Sequence, residues 1–90
     1  MTQRPVATTR AHPFSPSAGP ALFSVNAGVP IHDALQRASN MLSCVHELVI
    51  TISDGDTHGQ EIFAVQYLTE MAKALVDAAG EGVWDKEHGQ

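Results

Sequence analysis

Apolar residues recur every three or four positions between residues 30 and 53, which predicts a long amphipathic helix. The main row is Ile31, Leu35, Ala38, Leu42, Val45, Val49 and Ile52, and a second row holds Ala34, Met41 and Leu48. Together these rows form an apolar surface more than about 100° wide, which another part of a fold has to cover. Pro30 suits the first helical position, because it has no N–H to leave unpaired. Residues 48–52 are mostly β-branched, so a strand is the alternative there, but the unbroken spacing favours helix.

A second amphipathic pattern predicts another helix over residues 58–79. Its main apolar row is Val65, Leu68, Ala72, Leu75 and Ala79, and small residues in this row allow close helix packing. Residues 54–59 form a turn short enough to make the two helices antiparallel. Thr57 and Gln60 fit a capping box at the start of this helix, and Gly80 fits its C-terminal end. We also expect Glu70 and Lys73 to pair on its outer surface.

The segments outside the two helices suggest an arm and two tails. Residues 1–20 are rich in proline, serine and threonine without a hydrophobic period, so we expect a disordered tail. Residues 21–29 are apolar and suit a short strand, whose Phe23 we expect to insert against the hairpin. This arm either crosses to a partner chain or pairs with its own copy as a two-stranded ribbon. Residues 21–80 then form the folded domain, and residues 81–90 a flexible tail that contains Trp84.

Charge and hydropathy narrow the classes of partner. The chain of 90 residues has a net charge of −5, and residues 30–80 hold seven acids against Arg37 and Lys73. An acidic folded part repels phosphate backbones, so we expect no nucleic-acid binding. No apolar run approaches the roughly 20 residues that span a bilayer, so we expect no membrane partner. No apolar signal segment is present either, so a cytoplasmic protein is expected.

No residue pattern points to catalysis, a cofactor or a metal. His32 and His46 lie on one helix but about 21 Å apart, too far to share an ion. Residues 54–59 resemble the start of a calcium loop, but its twelfth position is Val65 instead of the required glutamate. Cys44 is expected to be a buried, inert thiol, since no base faces it. We therefore assign no catalytic, cofactor-binding or metal-binding residues, and predict that the protein is not an enzyme.

The order and spacing of several short motifs resemble those of a known family. The motifs are Phe23 and Val25 before Gly28-Val29-Pro30, then Asp33-Ala34-Leu35, Ala38-Ser39, Tyr67-Leu68 and residues 70–74. Over residues 22–79 the chain is similar to a family of short bacterial proteins known as domain of unknown function 3077. The resemblance implies no activity and no site residues, and it agrees with a helical hairpin.

These observations predict an all-α fold, in which an antiparallel helical hairpin carries a short extended arm at its N-terminus. Because so short a chain buries little surface and has a single cysteine, we expect it to dimerise into a four-helix bundle. The function predicted is a non-enzymatic protein-interaction or regulatory module that acts as a homodimer, with a protein partner that the sequence does not identify. The alternative is a small-ligand binder or enzyme with a pocket between helices. Only Arg37 and Lys73 could hold a carboxylate there, and both are expected to face outward.

Overall fold

The computed structural model describes residues 7–15, 19–55 and 59–89 of the chain. In chain order its elements are β1 (His12–Phe14), β2 (Phe23–Val25), α1 (Ile31–Ser53) and α2 (Gln60–Glu87). The two helices form an antiparallel hairpin, as predicted. The strands form a small antiparallel sheet, and both strands contact α2.

Helix α1 begins and ends close to the predicted residues. Pro30 is the N-cap with extended backbone angles, φ −55° and ψ 138°, so the helix starts one residue later than expected. Asp33 lies in the first turn, where its charge interacts favourably with the helix dipole. The helix continues without a break through the β-branched residues to Ser53, which confirms the helical prediction for residues 48–52.

Helix α2 is longer than predicted. Gly59 is its N-cap at φ 90°, a left-handed conformation that favours glycine, and Thr57 of the predicted capping box lies outside the described residues. The helix passes through Gly80 and Gly82 and ends only at Glu87. The predicted helix end at Gly80 is therefore wrong, and residues 81–87 are helical where a flexible tail was expected. Contacts with the N-terminal part of the chain offset the low helix propensity of the two glycines.

The N-terminal part of the chain also departs from the prediction. We expected residues 1–20 to be disordered, and this is wrong for residues 7–15, which we call the strap. Within the strap, β1 pairs with β2 so that His12 is opposite Val25 and Phe14 is opposite Phe23. Thr8 forms a further bridge with Pro30 at the start of α1. The strap is thus held by backbone pairing to segments that lie well beyond it in the sequence.

The arm forms the expected short strand, β2, but its pairing partner is β1 of the same chain. Phe23 does not insert against the hairpin of its own chain, since it is 56% exposed and the centroids of its ring and the Phe14 ring lie 5.8 Å apart. Val25 is the buried residue of this strand, and it packs against Ala74 and Ala78 of α2. The small side chains of these alanines allow the sheet to approach the helix closely.

Candidate functional site

The core of the described chain is built almost entirely of alanine. Apart from Val25, its buried apolar residues are Ala34, Ala38, Ala72, Ala74, Ala78 and Ala79. Large apolar side chains are instead left in contact with solvent, and Leu42, in the middle of the predicted apolar row of α1, is 49% exposed. The chain is also thin, with extents of 56 × 31 × 15 Å, so the helices form a single layer. A single chain therefore leaves most of its large apolar side chains incompletely covered.

Five of these exposed residues lie on the side of the hairpin opposite the sheet, and we call them the uncharged face. They are Leu35, Leu42 and Val49 of α1 with Val76 and Val83 of α2. Ala34 and Met41 of α1 line a cleft beside the sheet, and each is followed by a member of this face. Because one residue turns a helix by about 100°, Leu35 and Leu42 lie across the α1–α2 contact from that cleft. On α2, Val76 and Val83 each follow a residue on the side of the sheet, Leu75 and Gly82, by one position. They therefore also lie across the α1–α2 contact from the sheet.

Most helical positions that flank the uncharged face carry no acid and no Lys or Arg, among them Ser39, His46, Val65, Thr69, Ala72 and Gly80. The charged residues that flank it lie on α2, where Lys73 precedes Val76 by three residues and Lys86 and Glu87 follow Val83 by three and four. Burying a charged group without a partner costs several kcal/mol, so a surface without such groups is inexpensive to cover. Small residues at the same positions also permit close approach of another helix.

On the other side of the hairpin, the strap lies directly on the backbone of α2. A Cβ at Gly82 would be 1.8 Å from the Thr8 carbonyl oxygen, so only glycine fits at this position. The Thr9 hydroxyl donates to the Asn26 carbonyl at 2.6 Å and accepts from the Val29 N–H at 3.1 Å. Thr9 is buried and satisfied, and it fixes the strap to the turn that precedes α1.

Two side chains of the strap, Arg10 and His12, face a row of acids on α2. Arg10 binds both carboxylate oxygens of Asp85, with its Nε at 2.9 Å from Oδ2, and His12 Nδ1 is 2.8 Å from Glu81 Oε1. Asp77, one turn earlier, is 3.8 Å from His12 Nε2. Residues two apart on an extended strand and residues four apart on a helix are both separated by about 6–7 Å. The spacing of Arg10 and His12 along the strap therefore matches the spacing of their partners along α2.

These ion pairs perturb the ionisation of the groups that form them. The hydrogen bond from Arg10 lowers the pKa of Asp85 below its ordinary value, and the same bond raises the pKa of Arg10. Lys73 Nζ is 2.7 Å from Asp77 Oδ2, and this hydrogen bond raises the pKa of Lys73. The close partner of Lys73 is thus Asp77 and not the expected Glu70, although the charge of Glu70 also raises the pKa of Lys73.

A cleft of about 560 Å³ opens between the sheet, α1 and α2. Its apolar lining includes Phe14, Val25, Met41, Met71 and Leu75, while Asp33 and Arg37 contribute the charged groups. Arg37 is exposed, as expected, and it also lines this cleft. The volume lies within the range of about 300–1,000 Å³ that small-molecule pockets occupy.

Beyond the cleft, toward the α1–α2 turn, the same side of the hairpin has no cover in the described structure. Tyr67 and Met71 precede Ala74 and Ala78, which lie under the sheet, by seven residues each and so lie on the same side of α2. Phe63 comes one turn before Tyr67, and all three of these large residues are exposed. The open region is thus apolar and continuous with the cleft at Met71.

The remaining sequence candidates are not brought together. Cys44 is exposed, which contradicts the expected buried thiol. His32 and His46 are exposed on α1, His58 lies outside the described residues, and His88 stacks on Trp84 at 3.7 Å. No three metal-binding side chains cluster among the residues that the structure describes. Neither described helix is long and apolar enough to cross a membrane.

The fold and its surfaces define a small helical-hairpin protein with an N-terminal strap and large uncovered apolar surfaces. A family model described as a protein of unknown function, DUF3077, matches residues 8–82. The chain belongs to this family, as its motifs suggested. The matched range includes most of the strap and extends past Gly80. No curated protein and no solved structure matches the chain.

Proposed function

We propose that this protein is a non-enzymatic interaction module that acts as a homodimer, in which two hairpins pack their uncharged faces together into a four-helix bundle. The observation that carries the proposal is the mismatch between the alanine core and the exposed large side chains. Leu35, Leu42 and Val49 recur every seven residues, which is the spacing of a seam between packed helices.

Association through the uncharged face is physically favourable for two reasons. Around Leu35, Leu42 and Val49 it requires no burial of a carboxylate or an ammonium group, so little polar desolvation opposes it there. Charged groups border the face only on α2, at Lys73, Lys86 and Glu87. Association also covers side chains that the single chain leaves about half exposed, such as Leu42 and Val76. Full burial of such a side chain contributes roughly 1.5–3 kcal/mol, and two copies of each residue take part in a symmetric dimer.

Sedimentation equilibrium at micromolar concentration tests the dimer. We expect a mass of about twice the 9.6 kDa of the chain. The double variant Leu42→Ser and Val76→Ser should shift the mass toward one chain, whereas Trp84→Ser, at a similarly exposed position outside the face, should not. A wild-type protein that is folded by circular dichroism and sediments as a monomer would refute the proposal.

The cleft beside the sheet favours the alternative function, a small-ligand binder. Its apolar lining and Arg37 suit an amphipathic carboxylate, with the chain of the ligand on Met41 and Met71. Isothermal titration with decanoate tests this function. Saturable binding with one ligand per chain that is lost in Arg37→Ala would support it, and unsaturable or Arg37-independent binding would exclude it.

A further inference from the structure

We propose that the open region beside the α1–α2 turn is a docking groove for a basic amphipathic helix of another protein, an inference that rests on the proposed function as an interaction module. We call this region the distal groove. It is formed by Met41 and Leu48 of α1 and by Phe63, Tyr67 and Met71 of α2. Met41 and Met71 both line the cleft beside the sheet, so both helices present this side. Leu48 follows Met41 by seven residues and therefore continues the same side.

The size of the groove suits a helical ligand. The nine residues from Phe63 to Met71 span about 12 Å of helix, or roughly two turns. A bound helix could therefore place apolar side chains at positions i, i+4 and i+7 against this surface. Methionine and aromatic side chains adapt to ligands of different shape, and they are typical of surfaces that accept an amphipathic helix.

The charge around the groove selects the chemistry of that helix. Residues 38–72 contain five acids and neither Lys nor Arg. Glu70 follows Phe63 by seven residues and so lies at the margin of the groove, and Glu47 adjoins Leu48 on α1. Arg37 and Lys73 border this stretch of the sequence, and Lys73 is already paired with Asp77. An apolar surface within this negative field attracts a helix with lysines or arginines beside its apolar row.

The same charges argue against the other occupants of an apolar surface. A second copy of the chain would bring Glu70 and its neighbours against an identical acidic set, which is unfavourable. An anionic membrane surface would be repelled in the same way. The uncharged face has none of these acids and lies on the opposite side of the hairpin. A dimer formed through that face therefore leaves both distal grooves accessible.

Fluorescence anisotropy with two synthetic peptides tests the inference. Both peptides have about 18 residues with leucines on one helical face, and the other face carries lysine in one peptide and glutamate in the other. The basic peptide should bind in the micromolar range, and raising the salt to about half-molar should weaken it about tenfold or more. The acidic peptide should not bind. Equal binding of the two peptides, or no binding of the basic one, would overturn the inference.

Variants of the protein locate the binding surface. Phe63→Ser and Tyr67→Ser should each weaken binding of the basic peptide about tenfold. Glu70→Gln should weaken it by roughly 1.5- to 5-fold, as expected for one exposed charge pair. Trp84→Ser is the matched control, because Trp84 is 49% exposed and Tyr67 is 48% exposed. If the control weakens binding as much as Tyr67→Ser does, the peptide binds elsewhere and the inference is wrong.

Sedimentation of the same samples separates this inference from the proposed dimer. Tyr67→Ser should leave the mass unchanged, whereas the double variant Leu42→Ser and Val76→Ser should lower the mass and still bind the basic peptide. If the wild type sediments as a dimer and Tyr67→Ser sediments as a monomer, a second copy covers the groove and the inference fails. If the wild type is a folded monomer that binds the basic peptide through Phe63 and Tyr67, the dimer proposal fails and the groove stands.

Discussion

The loss of stability in Leu42→Ala shows whether a second chain covers this side chain. In the hairpin alone Leu42 is 49% exposed, so only about half of its side chain is removed from water. A fully buried Leu→Ala substitution costs about 2–5 kcal/mol, so the single chain should lose roughly 1–2.5 kcal/mol. If the uncharged face is covered in a dimer, each chain loses about the same amount again. The dissociation free energy of the dimer then falls by about 2–5 kcal/mol, which raises its Kd roughly 30-fold to several-thousand-fold.

Urea unfolding of the wild type and of Leu42→Ala, at several protein concentrations, separates these two costs. For a dimer the midpoint of the wild type rises with concentration, and the difference between the two proteins depends on concentration as well. Leu22→Ala is the control, because it removes the same atoms at a position that is 70% exposed next to β2. A loss below about 1 kcal/mol that is the same at every concentration would show that nothing covers Leu42, and would refute the reasoning.

Three further predictions concern the strap. Gly82→Ala should destabilise the protein by about 1–3 kcal/mol in a thermal melt, because the new Cβ meets the backbone of the strap. Gly80→Ala, which has open space around it, should stabilise the protein by about 0.5–1 kcal/mol. Equal effects of the two variants would contradict the close approach of the strap to Gly82. The lowered pKa of Asp85 means that its bond to Arg10 contributes stability above the ordinary pKa of 3.8, and this contribution is lost as the pH falls through the lower value of the folded state. Asp85→Asn should therefore flatten the acid side of the stability profile, and an unchanged profile would show that the pair contributes nothing. Deleting residues 1–15 should lower Tm by roughly 5–15 °C, and an unchanged melt would show that the strap does not support α2.

The hairpin could be predicted from the sequence because its information is local. The spacing of apolar residues by three and four positions predicted both helices, and Pro30 marked the start of α1 to within one residue. The β-branched run before Ser53 was correctly assigned to the helix, since its spacing outweighed its strand propensity. Which face of each helix would be covered did not follow from the pattern. Leu42 lies in the centre of the apolar stripe, yet the alanines beside it are buried instead.

The strap could not be predicted because its contacts join residues far apart in the chain. Arg10 and Asp85 are 75 residues apart, and nothing near Arg10 in the sequence indicates a partner. The residues around the predicted end of α2 did contain one sign that the helix continues. Asp77, Glu81 and Asp85 recur every four residues, which places an acidic row on one side of a continued helix, opposite a strap whose charges are positive.

One side of α2 is covered by the strap and the sheet over its C-terminal half and is open over its N-terminal half. The residue types on this side differ between the two halves. Under the sheet, Ala74 and Ala78 provide small side chains on which backbone can lie closely. Seven residues earlier, on the same side of the helix, the equivalent positions hold Tyr67 and Met71. A surface that only faced water would gain nothing from large apolar side chains at these positions, and it would lose solubility. Covered positions therefore carry residues suited to the cover they have, and the open positions carry residues suited to an incoming helix.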